Sequence, residues 1–289
     1  MNKTKIPYAD YTWNVVTGCL AGCPYCFAKR ISDRFGNHPD EDELRKDPRN
    51  AFMFPGENLR VAMMKPMVAF PFGFLPTFYP DRLGEPMKVK KPSRIFVSDM
   101  GDLWGDWVPR EWIEAVLDTV KKCPQHTFLM LTKNPKRYQE FEIPDNAWIG
   151  TTCEDNSKLY RVGELLSARA SLYWVSHEPA MGQLNIEKHL VSCKDCGNRG
   201  STAWVDYDHD LCQRACTKRG EGPSIGWFVV GSMSGPNAVP MDEDWIRHER
   251  NACVECGVPF FYKQKIVNGK KVEMPELDGR VWDQYPKVE

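Results

Sequence analysis

Residues 11–30 read YTWNVVTGCLAGCPYCFAKR, from Tyr11 to Arg30. The opening Tyr11–Val16 is aromatic and β-branched, which predicts a strand. Thr17-Gly18 follows, and then Cys19, Cys23 and Cys26, separated by three residues and then by two. The stretch FAKRISDRF, Phe27–Phe35, predicts a helix. A loop of thiols therefore stands between a strand and a helix, and Gly18 and Gly22 let it turn without side-chain crowding. Three nearby thiolates suit a cubane 4Fe-4S cluster with one iron left open, whereas a simple ferredoxin site supplies four cysteines. The same thiolates, with a fourth ligand from elsewhere, could instead hold zinc.

Outward from this loop, short apolar runs recur: RIFVSDM (94–100), TFLMLTK (127–133), AWIGTTCED (147–155), LYWVSHEP (172–179), IGWFVVGS (225–232) and PFFYKQ (259–264). Each reads as a buried parallel strand. Helical stripes lie between several of them. Ile113, Val116, Leu117 and Val120 follow Pro109 at helical spacing, and Leu159, Val162, Leu165 and Leu166 make a second stripe. MDEDWIRHER, 241–250, opens with acids suited to a helix N-terminus. Strand–helix alternation predicts an α/β fold of parallel βα units, arranged as a barrel or part-barrel. Such a fold gathers strand C-termini at one rim. Asp99, Lys133, Glu154, Glu178, Ser232 and Lys263 all fall at or just past predicted strand ends, so they are candidate pocket residues.

The 289 residues carry 38 basic and 39 acidic side chains, for a net charge of -1. No globally basic surface exists, which weakens a sequence-independent nucleic-acid binder but leaves room for a local basic groove. Met1–Ala9 contains no apolar run of signal-peptide type. The most apolar stretch, Met63–Phe78, is broken by Lys65, Pro66, Pro71, Gly73 and Pro76 and makes a poor membrane span. No membrane partner is expected, and a cytoplasmic location follows. Eleven cysteines then read as metal ligands rather than as a disulfide scaffold.

Two segments interrupt the alternation within a single domain spanning 1–289. Residues 38–93 form a Phe/Met/Pro-rich insertion, which predicts either a small packed subdomain or an aromatic cover over the site. Residues 187–223 form a Cys-rich insertion too polar for an oily core of its own. Cys193/Cys196 and Cys212/Cys216 have four-thiolate metal spacing. They read as zinc, as an auxiliary iron–sulfur cluster, or as no metal. Cys253 and Cys256 form a weaker pair, and Cys123 and Cys153 read as packing residues.

The strand–CxxxCxxC–helix arrangement, with Tyr25 before the last cysteine, resembles the radical S-adenosylmethionine superfamily. More of the chain resembles a phage-encoded Gp37/Gp68-like family within that group. The resemblance runs through YTWNVVTGC, GCPYCFAKR, RIFVSDMGDLWGDWVP, HTFLMLTKNPKR, AWIGTTCED, WVSHEPAMG, GWFVVGSMSGPNAVPM, GVPFFYKQ and DGRVWDQYP. It implies a partial (β/α)6-type barrel with the 4Fe-4S cluster on Cys19, Cys23 and Cys26. It also implies S-adenosyl-L-methionine on the open iron, cleaved by one electron to a 5'-deoxyadenosyl radical. An electron donor such as a flavodoxin or ferredoxin follows as a partner. In many members more residues separate the first two cysteines; this chain has the compact spacing. Where members show GGESGP, this chain has Gly231-Ser232-Met233-Ser234-Gly235-Pro236, so no carboxylate carries over to Met233.

On that resemblance, Tyr25, Asp99, Asp102, Thr132, Lys133, Thr152, Glu154, Glu178 and Lys263 are the candidate cofactor-binding residues. Asp99 and Asp102 suit an amino group or ribose, or a turn cap. Thr132 and Lys133 suit a carboxylate or phosphate, Thr152 and Glu154 ribose hydroxyls, and His177 and Glu178 adenine or substrate. A nucleic acid, nucleotide or modified base is the expected substrate class, from the aromatics and the basic stretch Lys88–Arg94. Peptide or protein modification is the alternative enzyme reading. A zinc-stapled nucleic-acid-binding or structural protein is the non-catalytic one.

Overall fold

The structure is a computed structural model, and it describes residues 1–36, 52–53, 60–61, 69–190, 223–235, 238 and 240–287. The fold is mixed α/β with mostly parallel sheet strands, as the alternation predicts. The chain forms two compact units. The first is Met1–Thr132 with Pro144–Ala147, and the second is Lys133–Ile143 with Trp148–Glu289.

In the first unit, β1 (Asn2–Lys3) pairs antiparallel with β2 (Tyr11–Trp13). The predicted Tyr11–Val16 strand is split: after Trp13 the chain leaves this sheet, and β3 (Val16–Thr17) belongs to another. That second sheet runs β3, then β6 (Thr77–Phe78), β5 (Arg60–Val61) and β4 (Phe52–Met53). The first sheet continues from β2 to β7 (Arg94–Val97) and β8 (Thr127–Thr132), all parallel. Helix α1 (Phe27–Phe35) follows the cysteines, and α2 (Arg110–Lys121) links β7 to β8. The apolar stripe of α2 is buried as its spacing predicts, with Trp112, Ile113, Val116, Leu117 and Val120 all inward. Phe78 stacks on Trp112 with ring centroids 5.2 Å apart. Among the described residues of the aromatic insertion, Phe70, Phe72, Phe78 and Tyr79 are buried.

The second unit lays β9 (Ala147–Thr152), β10 (Leu172–His177), β11 (Trp227–Gly231) and β12 (Phe260–Val267) side by side in parallel. β13 (Lys270–Glu273) turns back antiparallel on β12, and β14 (Glu276–Leu277) and β15 (Arg280–Val281) form a hairpin. Helix α3 (Tyr160–Leu166) follows β9, and α4 (Glu187–Leu190) and α5 (Glu243–Cys256) pack together. Asp242 caps α5 by accepting from the Asp244 N–H, and Gly257 ends it at φ +68°, a conformation suited to glycine. Strands β9 and β11 are buried along their whole length, which explains why neither sequence alternates apolar with charged residues. Trp148, Trp174 and Trp227 fill one side, with Trp227 5.4 Å from Trp174 and 6.0 Å from Trp148. No helix among the described residues is long and apolar enough to cross a membrane.

Gly150 in β9 lies directly under Trp174: a Cβ there would stand 2.5 Å from the indole Cε2 and Nε1. The indole is held by its N–H, which donates to the Trp148 carbonyl at 3.2 Å. A Gly150→Ala variant is predicted to lose about 1–3 kcal/mol of stability through overpacking. Urea denaturation followed by tryptophan fluorescence measures this; an unchanged midpoint contradicts the packing described.

Candidate functional site

The cysteine loop is positioned from beneath by Asn14. Its side-chain amide donates to Asp99 Oδ1 at 2.6 Å, its Oδ1 accepts from the Met100 N–H at 3.1 Å, and its carbonyl accepts from Arg82 Nη1 at 2.7 Å. Asn14 thus ties the end of β2 to the Ser98–Gly101 turn that follows β7. Ser98 enters that turn at φ +58° and is buried. The chain then runs through β3 to Gly18, whose N–H donates to the Met100 carbonyl at 2.9 Å and which bridges Gly101. The Cys19 N–H donates to the Phe74 carbonyl at 3.2 Å. Gly18 is therefore clamped between two turns, and it sits at φ +82°. A Cβ on Gly18 would lie 2.3 Å from the Leu75 carbonyl oxygen, and one on Gly101 would lie 2.7 Å from the Gly18 oxygen.

Beyond Gly18 the three thiols open onto one cavity of about 440 Å³. Cys19, Cys23 and Cys26 line it with Leu20, Gly22, Lys29, Asp33, Phe72, Phe74 and Leu75. Its volume falls within the range of about 300–1,000 Å³ typical of small-molecule sites. All three cysteines are half-buried. Cys19 Sγ accepts from the Ala21 N–H at 3.4 Å. Cys26 Sγ accepts from the Lys29 N–H at 3.3 Å and so caps α1. Burial pushes the Cys19 thiol up to about 12, and the charges of Asp102, Cys23 and Cys26 add to it against the lowering by the Ala21 N–H. The protein alone holds this thiol neutral, and a bound cationic centre would displace its proton. Among the described residues no three His, Cys, Asp or Glu side chains already converge as a single-ion site. Three sulfurs spread around one cavity, two of them receiving backbone N–H groups, fit a cluster with three thiolate ligands.

The other predicted residues fall into two groups. In the first unit, buried Asp102 accepts from Thr132 Oγ1 at 2.8 and 3.0 Å and from the Trp104 N–H at 3.0 Å. Asp99, Asp102 and Thr132 thus brace the turn beneath Gly18. Tyr25 lies half-buried in the loop between Cys23 and Cys26.

In the second unit, buried Glu154 follows β9 and pairs with Lys133 at 3.0 Å and Arg161 at 2.9 Å. Arg161 also donates to the Thr152 carbonyl at 2.8 Å. Glu178, just past β10, pairs with Lys263 at 2.8 Å and accepts from Ser176 Oγ at 3.0 Å. Lys263 is not at a strand end, because β12 runs on to Val267. It is instead the extra residue of a bulge, since Val230 pairs with Tyr262 and Gly231 with Gln264. A Cβ on Gly231 would lie 2.7 Å from Glu178 Oε1, so glycine makes room for that carboxylate.

His177 does not face a pocket. It is fully buried, with Nδ1 3.0 Å from Glu249 Oε1 and Nε2 3.1 Å from the Glu154 carbonyl oxygen. Cys153 is buried too, and burial pushes its thiol up to about 12. Cys123 and Cys253 are enclosed, while Cys256 is half-buried. Cys193, Cys196, Cys212 and Cys216 lie outside the described residues.

Asn14 in the first unit, and Arg161 and Glu249 in the second, hold candidate residues of their own unit without standing among the sequence-based candidates. Asn14 has one signal, a polar residue inside an otherwise apolar strand run. Arg161 and Glu249 have none, because a helix presents charged residues whether or not one of them turns inward.

A family described as "Protein of unknown function (DUF5131)" matches residues 3–286, and the chain belongs to it. A comparison with curated proteins finds no match. Two similar solved structures are variants of spore photoproduct lyase. A cysteine-to-alanine variant with dinucleoside spore photoproduct is 11% identical at a TM-score of 0.36, over 62% of this chain and 47% of that one. A tyrosine-to-phenylalanine variant is 11% identical at a TM-score of 0.44, over 90% of this chain and 77% of that one. This chain thus spans about half the length of the first and most of the second.

Gly18 and Gly22 share a left-handed backbone, but only Gly18 is crowded; a Cβ on Gly22 would meet nothing within 4 Å. Gly22→Ala is predicted to cost about 1–2 kcal/mol from backbone conformation alone. Gly18→Ala is predicted to cost clearly more, because its Cβ also meets the Leu75 carbonyl. Urea midpoints for the two variants check this; equal effects contradict the clamp.

Proposed function

We propose that this member of the DUF5131 family is a radical S-adenosylmethionine enzyme, with its 4Fe-4S cluster on Cys19, Cys23 and Cys26. The observation that carries the reading is the CxxxCxxC loop itself. Its three sulfurs line one cavity and, among the described residues, no fourth cysteine lines it with them, which suits a cluster with one iron open to a small molecule. When bound, such a cluster supplies one electron to S-adenosylmethionine and so opens radical chemistry on a substrate.

The chain's own residues hold, orient and shield. The Ala21 and Lys29 N–H groups fix the Cys19 and Cys26 sulfurs, and N–H···S bonds of this kind also tune a cluster's potential. Gly18, Gly101 and the Asn14–Asp99 bond hold the loop at one height above β2 and β7. Phe72, Phe74, Leu75 and Leu20 give the cavity an apolar wall, which excludes water from reactive species. Lys29 and Asp33, paired at 2.8 Å, put one cation and one anion at the same cavity for the polar ends of a ligand. Glu154 and Glu178, with their lysine partners, are the second unit's polar candidates for the cofactor's hydroxyls or for substrate.

A nucleic acid, nucleotide or modified base is the proposed substrate class. Half-buried Phe74 on the cavity and the cationic Lys88–Arg94 stretch support it, since bases stack on aromatic faces and phosphates seek cations. Cys193, Cys196, Cys212 and Cys216 are proposed to hold a second centre, zinc or iron–sulfur. A cytoplasmic setting suits a cluster with an open iron.

Anaerobic reconstitution followed by iron, sulfide and zinc analysis tests the reading. About four irons and four sulfides per chain are expected on the first cysteine group, with a brown colour. Cys23→Ala is predicted to lose those irons, and the unmodified protein to form 5'-deoxyadenosine from S-adenosylmethionine with dithionite. Colourless protein with zinc alone supports the zinc-stapled alternative and contradicts the proposal.

A further inference from the structure

Residues 1–10, 85–94 and 118–127 together carry eight Lys or Arg and three Asp or Glu, while the rest of the chain carries 30 against 36. These segments are far apart in sequence but meet at one end of the first unit. Strands β2, β7 and β8 run parallel, so they start at the same end, and each segment leads into one of those starts. The Thr4 N–H donates to the Asp10 carbonyl at 3.2 Å, the Asp10 N–H to the Arg94 carbonyl at 2.9 Å, and the Thr127 N–H to the Ser93 carbonyl at 3.0 Å. Buried His126 turns Nε2 to the Pro86 and Val89 carbonyl oxygens, at 3.2 and 3.1 Å. Carbonyls only accept, so Nε2 carries the hydrogen and pins the 86–89 turn against the end of α2.

The surface so assembled is cationic. Lys3, Lys88, Lys90, Lys91, Lys121 and Lys122 are all exposed, and among the described residues none of them forms an ion pair or a side-chain hydrogen bond. A lysine at a helix C-terminus usually serves the last carbonyls. Here the Asn146 amide does so instead, donating to the Val120, Cys123 and His126 carbonyls at 3.0, 2.9 and 3.1 Å. Two of the three acids are engaged. Asp10 accepts from the Arg94 N–H at 2.7 Å and lies 3.9 Å from its guanidinium, and Glu85 pairs with the Met1 amine. Lysines gathered without partners, on a chain that is acidic elsewhere, create a field that draws polyanions.

We infer that this end of the first unit grips the phosphate backbone of a double-stranded nucleic acid. The inference deepens the proposed substrate class, from a base or nucleotide to a polymer, and rests on that reading for its purpose. The contact itself needs neither the cluster nor S-adenosylmethionine. Besides His126, the one aromatic ring in the three segments is Tyr8, and both are buried. No face is offered on which unstacked bases could lie, so phosphates are the groups to be held, and such contacts do not depend on sequence. Apolar anchors for a membrane are few, since Met87 is the one large apolar side chain exposed there. The cysteine loop lies beyond the other ends of the strands. The six residues of β8 span about 20 Å, so the lysines form a contact separate from the cavity.

The test measures fluorescence anisotropy of short labelled duplexes, one DNA and one RNA, with full-length reconstituted protein and no reductant or S-adenosylmethionine. Binding to either duplex supports the inference, and a preference between them names the polymer. The log Kd is expected to rise against log salt with a slope on the order of four to six, as that many neutralised phosphates give. Lys88→Glu/Lys90→Glu/Lys91→Glu is expected to weaken binding on the order of tenfold or more and to flatten the slope by about three. Lys122→Glu and Arg110→Glu make the same charge change at the two ends of α2, about 17 Å apart along the helix. The first is expected to weaken binding about fivefold and to lower the slope by about one. The second is expected to stay within about twofold, being more than a screening length away. Lys88→Arg/Lys90→Arg/Lys91→Arg should bind as the unmodified protein does, because phosphate contacts need the charge.

No duplex binding, or binding that salt does not weaken, overturns the inference. Equal losses in Lys122→Glu and Arg110→Glu overturn it in favour of diffuse charge, and loss in the arginine variant overturns it by assigning these lysines a structural role. Tighter binding to the single strand than to either duplex overturns it in favour of a base-stacking site elsewhere. Binding to phosphatidylserine vesicles without duplex binding overturns it in favour of a membrane surface. Formation of 5'-deoxyadenosine with dithionite is measured separately. Its absence sinks the cluster reading while duplex binding stands, and its presence without duplex binding leaves the cluster reading standing and sinks the grip.

Discussion

The close approach of three backbone segments at Gly18 is the constraint on which the site depends. The cysteine loop leaves β3 with the Leu75 carbonyl on one side and Gly101 on the other, and there is no room for a Cβ on Gly18 or on Gly101. Everything nearby serves that approach. Asn14 ties Asp99 and the Met100 N–H to the end of β2, and Asp102 is held by Thr132 and the Trp104 N–H. Buried polar groups are costly unless bonded, so these bonds fix the turn in one arrangement. The three sulfurs inherit their placement from it. A loop of small residues and thiols has little apolar surface to order itself, and here the order comes from the backbone below.

The second unit solves a different problem, that of enclosing charge. Glu154, Glu178 and Glu249 are all withdrawn from water or nearly so, and each has a named partner. Glu249 holds His177 and also accepts from the Leu184 N–H at 3.1 Å. It thereby joins α5, β10 and the segment after β10 through one carboxylate. Removing one partner of such a group leaves a buried charge uncompensated, which is far more damaging than the pair is stabilising. These pairs make the strand ends rigid. Glu154 and Glu178 follow directly on the buried parallel strands β9 and β10, the end of a strand where α/β folds place their ligands.

Much of this fold is legible in the sequence for physical reasons. Parallel strands buried on both faces carry apolar runs, so RIFV, FLML and WFVV announce β7, β8 and β11; the predicted TFLMLTK overruns β8 by about one residue and AWIGTTCED overruns β9 by about three. The stripe of α2 is likewise a direct record of its buried face. Periodicity does not reveal that Tyr11–Val16 divides between two sheets, because alternation says nothing about which neighbour a strand pairs with. Nor does it reveal that Lys263 sits on a bulge, since the extra residue shows only in the register between β11 and β12. The cysteine spacing is legible because a loop of three thiols has few structural uses. Asp99, Asp102 and Thr132 stand out as polar residues near strand ends, but the bonds they make inside the protein depend on long-range contacts that no local pattern encodes. His177 is the sharpest case: its buried partner Glu249 lies 72 residues away.

A loop clamped at Gly18, three cysteines lining one cavity and an apolar wall beside them are the features that support the proposed cluster with an open iron. The open iron is the central claim, since metal content alone does not distinguish a redox cluster that binds a ligand from one that only stabilises the fold. Electron paramagnetic resonance of the anaerobically reconstituted, dithionite-reduced protein tests it most directly, with spectra taken before and after S-adenosylmethionine is added. The predicted result is a reduced-cluster signal whose shape changes on addition, and which is absent when Cys23 is replaced. A signal indifferent to S-adenosylmethionine, or no cluster signal at all, would contradict it.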